Sequence, residues 1–156
     1  MLIALAGEQV ASRHDTVTAM ARRRTGEPSL EDVRRVASFR VALRAFQRGT
    51  ERVARDAGLT PQWYLLMLLV KGSEQGDEQA TVSELARRMQ LAQSTVTELV
   101  NRAERAGLVR RSASNVDGRI AHVALTEEGE ERFAASFRAL TDERRALQQA
   151  VAELGR

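Results

Sequence analysis

The apolar positions Val36, Phe39, Leu43, Phe46 and Val53 recur at spacings of three, four, three and seven. Steps of three and four return a side chain to the same helical face, so this stretch predicts a long amphipathic helix with a coiled-coil-like seam. Ser29 stands where an N-cap would, with Asp32 three positions on in the manner of a capping box. In "GLTPQWYLLMLLVKG" the run Trp63 to Val70 is apolar almost without interruption, which predicts a second helix buried on most sides. Gly58 can end the first helix, Thr60 can cap the second, Pro61 suits its first turn, and Gly72 closes it. "SEQGDEQA" follows as a polar loop.

The next stretch, "TVSELARRMQLAQSTVTELVNRAERAGLVRR", predicts a short helix, a tight break at "QLA" and a longer helix. Ser83 is the N-cap candidate of the first, and Leu85, Ala86 and Met89 form its inward face. The second runs from Gln93 to Ala106 with Val96, Leu99, Val100 and Ala103 inward, and Gly107 ends it. Its leading turns carry Gln93, Ser94, Thr95, Thr97 and Glu98 on the complementary face. Two short helices with a brief turn match either a helix-turn-helix or a plain helical hairpin with a solvated face. The sequence after Gly107 favours the former. "LVRRSASNVDGRIAHVALT" alternates as two strands, Leu108 to Arg111 and Ile120 to Leu125, around a Ser/Asn/Asp/Gly turn. Such a hairpin is a wing, and it carries Arg110, Arg111 and Arg119 beside the reading helix, where phosphates or a minor groove would lie.

Composition narrows the function. The chain has 156 residues, 43% of them hydrophobic but only 4% aromatic, so its core is mainly Leu, Val and Ala. No apolar run approaches the roughly 18 residues of a membrane span, and "MLIALAGEQVA" is a poor signal peptide, so a cytoplasmic location is expected. Cysteine is absent, which excludes disulfides, thiolate metal sites and thiol redox sensing. Of the 24 basic residues only Lys71 is lysine; guanidinium forks onto phosphate and guanine edges, although genomic base composition explains the preference equally well. His14 and His122 are the only histidines, one in the leader and one in a wing strand, and both are expected to be ordinary surface residues. No convergent nucleophile, base or metal set is visible, so neither an enzyme nor a metal or cofactor site is expected.

"LTPQWYLLMLLV", the helix-turn-helix stretch, "VDGR" and "VALTEEG" together resemble the MarR family of winged-helix transcriptional regulators, over roughly Leu59 to Gly129. The wing signature of that family is an Asp, a variable residue and an Arg, here Asp117, Gly118 and Arg119. The resemblance implies a homodimer of triangular outline with interleaved N- and C-terminal helices. It also implies binding to palindromic operator DNA, often relieved by a small aromatic or amphipathic ligand held between the dimer and DNA-binding lobes. Phe39, Phe46, Trp63 and Tyr64 are the large aromatics near that expected cleft. Two positions depart from the pattern: Glu98 stands where a basic residue is frequent, and Ala92 where a capping Ser or Thr is common.

The expected fold is therefore mostly α with a small β wing (α+β), a winged helix-turn-helix flanked by dimerisation helices. Residues 1–28 form a leader, partly helical from about His14 to Arg24. Residues 29–58 and 126–156 supply dimerisation helices, and 59–125 the DNA-binding domain. The expected seam comprises Val36, Phe39, Leu43 and Phe46 with Phe137, Leu140 and Leu147, in a C-terminal helix whose pattern Arg144 interrupts. Double-stranded DNA is the expected partner, met by Gln93, Ser94, Thr95, Thr97, Glu98, Arg102, Arg110, Arg111 and Arg119. A non-sensory architectural DNA-binding protein, or a protein–protein module on the same fold, are the alternatives.

Overall fold

The computed structural model describes residues 26–113 and 121–155. The leader helix expected around His14 to Arg24, the strand residue Ile120 and the wing tip Asp117, Gly118 and Arg119 lie outside the described residues. The chain divides into two compact units, one of residues 1–45 and 145–156 and the other of residues 46–144.

The long helix expected through Val36, Phe39, Leu43, Phe46 and Val53 forms: α1 spans Leu30–Asp56. The Ser29 hydroxyl accepts from the Asp32 backbone N–H at 3.0 Å and donates to the Asp32 carboxylate at 2.7 Å, so the expected cap forms. That hydroxyl, with the Arg35 guanidinium second, holds the Asp32 carboxyl below its ordinary value. At the other end Leu59 N–H bonds the Ala54 carbonyl and Gly58 N–H the Arg55 carbonyl, the paired closure of a Schellman turn. Helix α2, Pro61–Lys71, is capped by the Thr60 hydroxyl, which accepts from Trp63 N–H at 3.1 Å. Its C-terminal carbonyls are met by Arg88, which donates to Leu69 O at 3.2 Å and Gly72 O at 2.7 Å.

Two sequence expectations fail in the segment that follows. Part of the supposed polar loop is a strand, β1 (Gln79–Thr81), which three residues of unremarkable propensity do not announce. Helix α3, Val82–Met89, is capped by Thr81 rather than Ser83; Thr81 Oγ1 accepts from Glu84 N–H at 3.1 Å, and Ser83 lies inside the first turn. The break at "QLA" is made by Gln90 in the left-handed region (φ 56°), where Leu91 N–H and Gln90 N–H close back onto Ala86 and Arg87.

Helix α4, Gln93–Arg105, buries Val96, Leu99, Val100 and Ala103, the four positions its periodicity requires. Gly107 (φ 74°) ends it in a conformation that a side chain would strain. Strands β2 (Val109–Ala113) and β3 (Ala121–Leu125) pair antiparallel, and β1 pairs with the other edge of β3, giving the order β1-β3-β2. Ala80, Val123, Val109 and Leu125 share the sheet face that closes on the helices; Leu66, Met67, Val70, Leu85, Val96 and Val100 meet them in one core.

The C-terminal stretch is two helices, not one. Helix α5 (Glu127–Ala139) stops at Leu140, and α6 (Thr141–Leu154) begins directly after it. Leu140 is 1% exposed and belongs to the core of its own chain, which corrects its placement in an intersubunit seam. Arg144, read as an interruption of the seam, donates to the Phe137 carbonyl and lays its guanidinium 3.8 Å from the Phe137 ring centroid. The break thus satisfies backbone left open where α5 ends.

Helix α4 alone among α3, α4 and α5 lacks a side-chain cap: Ala92 offers none, and no acid stands in the first turn. Ala92→Ser is expected to stabilise the protein by about 1 kcal/mol, a gain of roughly 2–4 °C in melting temperature. An unchanged melt would mean that other groups already serve those N–H donors.

Candidate nucleic-acid interface

The surface of α4 divides by direction. Gln93, Ser94, Thr95, Thr97 and Glu98 are all exposed, opposite or flanking the buried stripe, as the sequence predicts. Gln93 and Thr97 stand on the flank toward the sheet. With Asn101, Arg111, Ala121, Thr81, Val82 and Ser83 they line a polar cleft of about 480 Å³. The Thr97 hydroxyl is committed within the helix, donating to Gln93 O at 2.8 Å. Asn101, Ser83 and Thr81 were missed by the sequence reading, because only the packing of α3 and the sheet against α4 brings them together.

The arginines separate as well. Arg110 is exposed on the outer sheet face, level with Ala124. Arg111 turns inward instead: its guanidinium donates to Glu104 Oε2 at 2.8 Å, while its backbone N–H donates to Glu104 Oε1 at 3.1 Å. Arg111, expected at the DNA interface, ties the start of β2 to α4. Arg102 and Arg105 are exposed on α4 and flank Glu98, at 4.0 Å and 3.6 Å from its carboxylate. His122, expected on the surface, is half-buried; its Nδ1 has no hydrogen-bond partner among the described residues.

A second cavity, of about 450 Å³, opens between α1 and α2. Phe46, Pro61, Tyr64, Leu65 and Leu68 form its apolar walls, and Gln47, Thr50 and Glu51 its polar rim. Of the four aromatics expected at a ligand cleft, Phe46 and Tyr64 line this cavity. Trp63 packs against the core instead, and Phe39 belongs to the other compact unit. Tyr64 stacks on Phe133, and Phe133 meets Phe137 in a tilted contact, with centroids 6.0 Å and 5.6 Å apart. Burial pushes the Tyr64 phenol above its ordinary pKa, with Arg144 pulling the other way, so it stays a neutral donor at physiological pH.

A three-stranded antiparallel sheet, a capped α3, a left-handed break and an exposed α4 define a winged helix-turn-helix protein. The sequence profile of the MarR family matches residues 57–120, beginning just after α1. It is 30% identical over 109 residues to the HTH-type transcriptional repressor IacR of Pseudomonas putida, covering 62% of each chain. It is also 35% identical over 77 residues to the HTH-type transcriptional repressor MdtR of Bacillus subtilis, covering 49% of this chain and 46% of that one. These matches therefore span less than two thirds of the length of either relative. Among solved structures, the MarR family transcriptional regulator Sco3205 of Streptomyces coelicolor, in complex with DNA, is similar at 27% identity. Its TM-score is 0.57, over 81% of this chain and 79% of that one. AbsC, a MarR family transcriptional regulator from the same organism, gives 26% identity and a TM-score of 0.59, over 69% and 72%.

Proposed function

We propose that this protein is a DNA-binding transcriptional repressor that acts as a homodimer on a palindromic operator and is released by a small organic ligand. The observation that carries the first part is the surface of α4: its four apolar positions are buried while Gln93, Ser94, Thr95, Thr97, Glu98 and two arginines are exposed. Small polar side chains carry both donors and acceptors for base edges in a major groove. An uncapped helix start adds a positive pole facing the phosphates. Relatives described as HTH-type transcriptional repressors, and a similar regulator solved in complex with DNA, support the same reading. In this reading Gln93, Ser94, Thr95, Thr97 and Glu98 meet bases or nearby phosphates, and Arg102, Arg110 and Arg119 meet the backbone.

The test is fluorescence anisotropy on duplexes enriched from a random-sequence library, repeated over a range of salt. Binding should weaken steeply as salt rises, because each phosphate neutralised releases counterion. A folded protein that retains no duplex at low salt would sink the reading.

Homodimerisation is supported by apolar side chains left bare on a single chain. Val36 is 52% exposed, Phe137 39% and Val151 51%. Several such groups together are worth roughly 1.5–3 kcal/mol each when buried. Light scattering should give twice the chain mass at micromolar concentration, and a stable folded monomer there would overturn the assignment.

The cavity beside Phe46 and Tyr64 supports the ligand, since its size falls in the range of small-molecule sites, roughly 300–1,000 Å³. With no cysteine in the chain, an organic molecule rather than a thiol oxidant is expected to release DNA. Release by peroxide or zinc alone, with the fold intact, would contradict this.

A further inference from the structure

Glu98 is an acid on a face that Proposed function turns toward DNA, and its surroundings set it apart. At 100° per residue, Ser94, Glu98 and Arg105 project within about 30° of the direction opposite the buried stripe of α4. Asn101 shares that direction but is half-buried in the cleft. Gln93 and Thr97 lie on the flank, and the Thr97 hydroxyl is already committed to Gln93 O. The outermost stripe of the helix therefore has a carboxylate at its centre.

That carboxylate is neutralised without being consumed. Arg105 stands 3.6 Å and Arg102 4.0 Å from Glu98 Oε1, close enough for charge compensation and beyond hydrogen-bond distance. The contrast with the other acids is clear. Glu104 binds Arg111 at 2.8 Å, Glu128 binds Arg132 at 2.6 Å, and Glu84 binds Arg88 at 3.1 Å, each through a hydrogen bond. Those acids hold the fold together with their lone pairs. Glu98 keeps its lone pairs for something else, while its two guanidiniums offset the repulsion a bare carboxylate would meet among phosphates.

We infer that Glu98, positioned and charge-compensated by Arg105 and Arg102, is the residue that sets base preference, accepting from the exocyclic amine of a cytosine in the major groove. The chemistry fits one base best: a carboxylate only accepts, and cytosine N4 presents a donor without the neighbouring N7 acceptor of adenine. Arg105 acts through Glu98, as a positioning residue. Gln93, Thr97 and Asn101, facing the cleft, are left to hold the backbone, where they set register and not sequence.

This inference rests on the DNA-binding reading, and one experiment separates the two. Full-length wild type, Glu98→Gln, Arg105→Ala and Arg105→Lys are each used to select from a random-sequence duplex library, and the bound pools are sequenced. Wild type should enrich a motif with a required C·G pair in each half-site. Glu98→Gln should lose that requirement, with discrimination at the position falling roughly 5- to 150-fold, the 1–3 kcal/mol of a good base contact at 1.4 kcal/mol per tenfold. Its affinity for scrambled duplex should hold or rise. Arg105→Ala should relax the same position, and Arg105→Lys should restore it, a rescue that a purely structural role would not give. If Glu98→Gln enriches the wild-type motif unchanged, Glu98 does not read a base and the inference is wrong, although the DNA-binding reading survives. If wild type enriches nothing, the DNA-binding reading has failed and takes this inference with it. Glu98 and Arg105 are both surface-exposed, so thermal melts should match wild type and exclude misfolding as the cause.

Discussion

Gly129→Ala is expected to destabilise the protein by about 3 kcal/mol or more, lowering the melting temperature by roughly 6–12 °C. Gly129 is the third residue of α5, where its N–H donates to the Thr126 cap hydroxyl at 3.0 Å. Thr126 in turn donates from Oγ1 to Gly107 O at 2.5 Å and from its backbone N–H to Leu108 O at 3.1 Å. The start of α5 is thereby stitched to the turn that ends α4. A methyl at position 129 would overlap the Leu108 carbonyl. That carbonyl cannot retreat, because Leu108 N–H is bonded to Ala103 O and the Leu108 side chain is 1% exposed. Backbone against backbone offers no rotamer of escape. Gly107→Ala is the control: it meets a positive φ but nothing within 4 Å, so only about 1–2 kcal/mol is at stake. A Gly129→Ala protein melting no lower than Gly107→Ala would refute this account of how α5 is seated.

Ser94→Glu should move stability and DNA binding in opposite directions. The first turn of α4 contains no acid and its N-cap makes no side-chain bond, so a carboxylate there complements the helix dipole. A gain of about 0.3–1 kcal/mol is expected, seen as a melt one to a few degrees higher. The same carboxylate would face phosphate with no arginine assigned to offset it, unlike Glu98. Like-charge juxtaposition costs several kcal/mol, so affinity for any duplex should fall about 100-fold, the equivalent of roughly 2.8 kcal/mol. Titrating a labelled duplex with both proteins at one salt concentration decides it. Unaltered affinity would remove α4 from the interface, whatever the melt does.

Much of the fold was legible along the chain, and the reasons are local. Thr60, Pro61 and Gly72 bound α2 because capping, a preset φ and termination act within a few residues of sequence. Val96, Leu99, Val100 and Ala103 were assigned inward by period alone, and all four are buried. The family resemblance pointed the same way, and the profile match over residues 57–120 bears it out. Less local features escaped. The strand at Gln79–Thr81 exists because β3 offers it an edge, and its own three residues carry no such instruction. The apolar spacing through Phe137, Leu140 and Leu147 suggested one seam, yet Leu140 turns into its own core where the helix breaks.

The division of labour among polar residues was the least legible of all. Sequence by itself determined that α4 would expose Gln93, Ser94, Thr95, Thr97 and Glu98, because helical period assigns the buried face and leaves the remainder to solvent. It determined too that arginines would cluster at the wing, since Arg110 and Arg111 adjoin the strand start. Which arginine is free and which is bound was decided only by tertiary structure. Strand alternation sends Arg110 to the outer face and Arg111 inward, and the packing of β2 beside α4 puts Glu104 within 2.8 Å of the latter. Likewise Asn101 and Ser83 share a cleft only because α3 and the sheet close around α4. An ion pair or a cleft depends on distances between segments far apart in sequence, and periodicity carries no information about those.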